Sequence, residues 1–215
     1  VRVGVNLYQH GKLPAVAIEL AARKSAPGSY NPRSGMAQRP NAASVRSPRC
    51  AMDLTAFLAH HAIEAKRFEH SPVMTVEESR RLVPDLPGAK TKNLFLRDKR
   101  GTRHILVTVP QDLAVDLNSL GLLLGAGRLG FASPERLRKS LGIAPGSVSL
   151  LALVNDKTHA VEFVLDRRLW EADAVQAHPL VNDATMVIPH RQLERFLAAT
   201  GHAAHIVDVP GQRES

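Results

Sequence analysis

From Met52 onward the apolar residues fall into short runs of two periods, helical and alternating, while the first fifty-one positions show little of either. Leu54, Phe57 and Leu58 share one helical face, and Asp53 stands where an N-cap belongs, so Met52–His61 reads as a helix. Ala65–Glu69 reads as an edge strand. Thr75 and Glu78 have the spacing of a capping box, which predicts a helix through Arg81, stopped by Pro84 and Pro87-Gly88. Next comes Gly88-Ala89-Lys90-Thr91-Lys92-Asn93, read as a loop that delivers two lysines and an amide onto the strand Leu94-Phe95-Leu96. Alternation sends Leu94 and Leu96 to one face of that strand and Phe95 to the other. Asp98–Gly101 is a turn, and His104–Val109 returns as the hairpin partner.

Further on, Asp116 caps a helix over Leu117–Leu124 that ends at Gly125, and Arg128–Ala132 is a short strand. Ser133-Pro134-Glu135 opens a helix that Gly142 closes. Ser147–Val154 and Ala160–Leu165 are expected to pair as a hairpin. A helical turn at Arg168–Glu171, a strand at Ala184–Ile188, a helix over Gln192–Thr200 ended by Gly201 and a strand at His205–Val209 complete the chain. Seven or eight short strands in irregular order with four or five helices predict a single α/β domain, a mixed and largely antiparallel sheet flanked by helices. Its expected span is 52–209, with 210–215 as a tail.

Composition separates the first fifty-one residues from the rest. They hold eight Lys/Arg and one acid, against 20 basic and 19 acidic residues in the remainder, so most of the net charge of +8 belongs to this arm. Its Arg- and Ser-containing, acid-poor makeup is that of an organellar transit peptide; a start assigned too early or vector-derived sequence gives the same pattern. Disorder is expected there, with at most a short helix at Ala15–Arg23. Within the domain, residues 90–139 carry ten basic side chains against Asp98, Asp112, Asp116 and Glu135. A localised basic segment suits a phosphate-rich partner, although solvated faces can produce the same distribution. A lone cysteine, Cys50, rules out an intrachain disulfide and a Cys-rich zinc site. No apolar run is long enough to span a membrane.

Chemistry alone names no enzyme. There is no G-x-S-x-G elbow and no His-x-x-x-His pair, and the turn Gly142–Ser147 can present backbone N–H groups to an anion but reads first as a plain turn. Lysines beside a strand often do no more than guard its edge. His178, held by Pro179 in a polar loop, is a candidate of the same open kind.

Five blocks change the picture. Lys92-Asn93-Leu94-Phe95-Leu96, Leu129–Leu137, Pro145-Gly146-Ser147-Val148-Ser149, Val154-Asn155-Asp156 and His178-Pro179-Leu180-Val181-Asn182 together resemble the YbaK/prolyl-tRNA editing-domain family, in that family's order. The similarity is greatest to its free-standing branch acting on alanyl-tRNA(Pro). The resemblance implies hydrolysis of the ester joining a wrong amino acid to tRNA(Pro), without metal or cofactor, in the cytoplasm unless the arm is a true transit peptide. By the same resemblance, Lys92 would grip the terminal phosphate and Asn93 would bind the substrate beside it. Gly146, Ser147, Val148 and Ser149 would orient the ester carbonyl, and His178 would shape the amino-acid pocket. Arg128 and Lys90 would meet the acceptor end. The family's glycine loop usually ends in proline where this chain has Leu150.

Within that class the substrate could carry cysteine, serine or another small amino acid, with Met74, Leu150 and the His178 loop tuning the pocket. Prolyl-tRNA synthetase or an elongation factor are the protein partners it suggests. Two other readings stand beside it: a non-catalytic module that binds tRNA or a synthetase, and a basic arm that alone drives nucleic-acid binding.

Overall fold

In the computed structural model the described residues are 53–72, 81 and 85–212. The pocket residue Met74, the N-terminal arm and the helix expected from Thr75, apart from helical Arg81, lie outside them. All the described residues belong to one structural unit.

The element order is α1 (Leu54–His60), β1 (Lys66–Glu69), β2 (Ala89–Arg97), β3 (His104–Pro110), α2 (Leu117–Leu123), β4 (Gly130–Phe131) and α3 (Pro134–Leu141). There follow a 3-10 helix (Leu150–Asn155), β5 (Val161–Asp166), α4 (Arg167–Trp170), β6 (Ala174–Ala177), β7 (Ala184–Pro189), α5 (His190–Thr200) and β8 (Ala204–Val207). The strands form one sheet in the order β1-β7-β6-β2-β3-β5-β8, with β4 also pairing β2. It is mixed: β1–β7, β6–β7, β2–β3 and β2–β4 are antiparallel, and β2–β6, β3–β5 and β5–β8 are parallel.

The caps read from the sequence are where they were expected. Asp53 accepts from the Thr55 and Ala56 amides, Asp116 from Asn118 and Ser119, and Ser133 from Arg136. Gly142 and Gly201 close α3 and α5 in the left-handed conformation that glycine adopts without penalty. One face of the sheet carries the larger core, including Phe95, Leu106, Phe163 and Phe196. The other carries Leu96, Ile105, Val107 and Val109 beneath Leu120 of α2 and Val209.

Three expectations are corrected. Leu150–Asn155 is a 3-10 helix, so the hairpin from Ser147 does not form and β5 pairs in parallel with β3 and β8. Leu150–Val154 is buried at every position, and a continuous apolar run fits a buried helix as well as a strand. The Ser149 hydroxyl, accepting from the Leu151 amide, starts the helical turn. Second, β2 begins at Ala89, so Lys90, Lys92 and Asn93 lie inside the strand and not in a loop at its mouth. Third, the strand expected over Arg128–Ala132 contracts to Gly130–Phe131, while Ala174–Ala177 is a strand that the sequence pattern had not marked.

Candidate active site

The start of β2 is held by one buried amide. Gln176 on β6 donates from Nε2 to the carbonyls of Leu86 (2.7 Å), Gly88 (3.0 Å) and Pro87 (3.3 Å), while the Thr91 hydroxyl donates to the Gln176 carbonyl at 2.6 Å. Gly88 has φ +90°, and a Cβ there would lie 2.8 Å from the Ala174 carbonyl oxygen, so the approach to the strand admits glycine alone.

Past this point β2 loses a neighbour. β3 covers one edge from Thr91 to Arg97. On the other edge β6 pairs with Ala89 and Lys90, and β4 pairs with Leu96 and Arg97. Between them, at Lys92, Asn93 and Leu94, no described strand covers this edge. The Lys90 carbonyl accepts from Gln111 on the β3 side, and the Phe95 carbonyl accepts from Ala132 on the β4 side. Alternation therefore directs the backbone N–H and C=O of Asn93 into the uncovered gap. A donor and an acceptor with no backbone partner among the described residues suit a polar ligand.

The two side chains diverge. Lys92 lies on the face of Leu94 and Leu96, and Asn93 on the opposite face with Phe95. Half-buried Lys92 donates from Nζ to the Leu113 carbonyl at 2.7 Å. Burial lowers its pKa, and Asp112 nearby raises it in partial compensation. The Asn93 Oδ1 accepts from the buried Thr108 hydroxyl at 2.7 Å, which orients the amide so that Nδ2, with no acceptor among the described residues, remains a donor.

His178 follows β6 where that strand leaves the gap. Its Nδ1 lies 3.2 Å from the Ala184 carbonyl, so Nδ1 carries the proton and Nε2 presents a lone pair. Burial pushes its pKa below the ordinary value, the Ala184 carbonyl raises it, and His70 lowers it further. His70 was not singled out in the sequence. Its Nε2 meets the Thr185 hydroxyl at 3.0 Å, one residue from the carbonyl that holds His178, a proximity across 115 positions that no local pattern signals. Leu180, at φ +66°, marks a strained bend in this loop.

The glycine loop packs Val148 against the larger core, on the side of the sheet that Asn93 faces. Gly146 turns at φ +89°, and the Ser147 amide donates to the Ala144 carbonyl. Ser149 is buried, and its hydroxyl is occupied in capping the 3-10 helix. What the loop offers a ligand is accordingly backbone at Gly146 and Val148 and the Ser147 side chain. Lys90 lines a cavity of about 370 Å³ with Pro110, Gln111, Asp112 and Arg168, next to the turn that anchors Lys92. Arg128 is exposed in the segment entering β4. A larger depression of about 600 Å³, beside Trp170 and His190, contains none of the site residues expected from the sequence.

The structure thus gathers Lys92, Asn93 and the His178 loop around one interruption in the sheet, with Lys90 beside it and Arg128 beyond the far end of β4. A cation, an oriented amide, a neutral imidazole and backbone groups unpaired among the described residues can fix an ester beside a phosphate.

Comparison with known proteins gives this arrangement its relatives. Residues 70–196 match the model of the aminoacyl-tRNA editing domain. The chain is 38% identical over 141 residues to the prolyl-tRNA editing protein ProX of Acetoanaerobium sticklandii, covering 66% of this chain and 86% of that protein. It is 40% identical over 157 residues to prolyl-tRNA synthetase associated domain-containing protein 1 of Danio rerio, covering 72% and 85% respectively. Among solved structures, that of a candidate trans-editing enzyme for prolyl-tRNA synthetase superposes with a TM-score of 0.56 at 23% identity, covering 74% of this chain and 95% of that one; at this identity the likeness speaks for the fold. The chain belongs to the aminoacyl-tRNA editing domain family.

Proposed function

We propose that this protein is a trans-acting deacylase that hydrolyses the ester of mischarged tRNA(Pro), with alanine as the amino acid removed. The observation that carries the reading is the uncovered edge of β2 at Lys92–Leu94, flanked by a neutral His178. The name and extent of the ProX relative supply the substrate class.

In the reaction, water adds to the ester carbonyl carbon, the bond to the ribose oxygen breaks, and a proton passes to that oxygen. Free amino acid and uncharged tRNA leave. The Lys92 ammonium exchanges the Leu113 carbonyl for the phosphate of the terminal adenosine, a full negative charge in place of a dipole. Asn93 holds the substrate from the opposite face of β2. Backbone groups of Gly146–Val148 orient the carbonyl, and His178 closes the amino-acid pocket. The tRNA 3′-terminal hydroxyl assists the attacking water. Lys90 and Arg128 receive the acceptor end, prolyl-tRNA synthetase or an elongation factor delivers it, and the cytoplasm is the compartment this reading favours.

The test is single-turnover release of amino acid from tRNA(Pro) charged with alanine, cysteine, serine or proline. Wild type should clear alanine and spare proline, and Lys92→Ala should stay folded with release nearly abolished. Faster loss of cysteine or serine would reassign the substrate. A second reading, a non-catalytic tRNA-binding module, draws on the Lys92–Leu113 hydrogen bond, which gives the lysine a structural task. Binding without release from any ester would establish it.

A further inference from the structure

The segment from α2 to β4 is built more firmly than a surface loop requires. The Ala126 and Gly127 amides both donate to the Gly121 carbonyl (2.9 and 3.2 Å). A Cβ on Gly121 would coincide with the Gly127 carbonyl oxygen, so helix and loop meet backbone to backbone. Arg103 pins the loop from beneath. Its guanidinium makes two 2.7 Å bonds to Glu162 and donates to the Leu124 (3.3 Å) and Gly125 (3.1 Å) carbonyls.

This braced segment presents Arg128, exposed, and then Phe131, which is 53% exposed. Phe131 is the one exposed aromatic among the described residues; Phe57, Phe95, Phe163 and Phe196 are all in the core. It pairs with Leu96, so its ring stands on the face of β2 that carries Lys92, four residues and roughly 13 Å along the strand. An exposed ring in a sequence with few aromatics, three positions after an exposed cation, matches what single-stranded nucleic acid asks of a protein: a stacking face and a phosphate partner.

We propose that Phe131 is a positioning residue on which a base just inside the terminal nucleotide of the aminoacylated 3′ end stacks, with Arg128 on the adjoining phosphate. The proposal rests on the deacylase reading, because it places the terminal ester at Lys92 and Asn93. The span along β2 lets the terminal nucleotide lie over the gap while an inner base reaches the ring. Stacking on a pinned platform sets the register of the strand, and so which carbonyl meets the site.

The test compares Phe131→Ala and Phe131→Leu with wild type on two substrates, alanyl-tRNA(Pro) and the short ester 3′-alanyl-adenosine 5′-phosphate. Loss of one stacked base should lower kcat/KM on the tRNA between about fivefold and a hundredfold. The short ester should be cleaved at wild-type rate by both variants. Leucine, which keeps the apolar packing at the sheet edge, should not restore tRNA use. A tRNA carrying 2-aminopurine at the penultimate position supplies a readout independent of turnover: its fluorescence should be quenched on wild type and recover on Phe131→Ala. Equal loss on both substrates, full rescue by leucine, or unchanged fluorescence would each overturn the proposal. Self-association of wild type that Phe131→Ala abolishes, with tRNA kinetics unaltered, would instead make this surface a protein interface. If wild type cleaves neither ester yet quenches the probe through Phe131, the stacking stands and the deacylase reading falls.

Discussion

Lys92 has one acceptor in the structure, the Leu113 carbonyl, and the proposed reaction offers its ammonium a second. The Leu113 carbonyl holds it in the described state, and burial favours its neutral form, so the site keeps a half-buried cation only while an acceptor is at hand. A phosphate would replace that acceptor with a stronger one. His178 is tuned in the same direction, toward neutrality, and for it the consequence is a pH dependence. Its pKa lies below the ordinary histidine value, first because of burial. The unfolded chain therefore takes up a proton before the folded one does, and the stability contributed by neutral His178 is complete above the ordinary value and lost as pH falls toward the folded one. The acid limb of single-turnover deacylation should accordingly fall below the ordinary histidine pKa, and His178→Asn should remove it. A limb at the ordinary value, or one that persists in the variant, would detach His178 from the site.

At the scale of elements, the gap in β2 follows from short neighbours. β6 has four residues and β4 has two, so neither reaches far enough along a nine-residue strand to close the edge between them. Their lengths are set by what stops them: Pro179 after β6, and Ser133-Pro134 opening α3 after β4. The close approach of α2 to the loop behind β4 is the element-level feature most sensitive to a single atom. Gly121→Ala should cost about 1–3 kcal/mol through overpacking against a backbone oxygen that no rotamer change can move aside. That corresponds to a fall in Tm of roughly 2–10 °C. At temperatures where the variant is folded, its use of tRNA should drop while the short ester is spared. A melting curve like that of wild type would mean that the loop shifts freely.

For the molecule as a whole, charge and fold are distributed differently. The arm of 1–51 carries the larger share of net charge, whereas the basic side chains flanking the gap belong to the segment 90–139. Removing residues 1–51 should leave deacylation unchanged, and abolished tRNA affinity in that truncation would move binding to the arm. In the full chain, Arg128→Ala should reduce the slope of log K against log salt by just under one, the change expected when one phosphate is no longer neutralised. An unaltered slope would remove Arg128 from the interface. Among the described residues no helix is long and apolar enough to cross a membrane.

The sequence by itself determined what depends on neighbours along the chain. Asp53, Asp116 and Ser133 capped the helices they precede, Gly142 and Gly201 ended theirs, and the alternation of Leu94, Phe95 and Leu96 assigned the faces of β2. The family blocks were legible for the same reason, as fixed local patterns. Tertiary structure decided what depends on distant partners. Leu150–Asn155 became helical in a setting where Leu150–Val154 is buried at every position, a condition its own apolar run leaves open. Lys90 to Asn93 were drawn into β2 because β3 paired along one edge and β6 paired with Ala89 and Lys90 at the start of the other. That pairing sent Lys92 and Asn93 to opposite faces, and the early end of β6 left the edge between β6 and β4 uncovered. A site of this kind lies between strands joined by long connections, and a strand's own residues do not record where its neighbour stops.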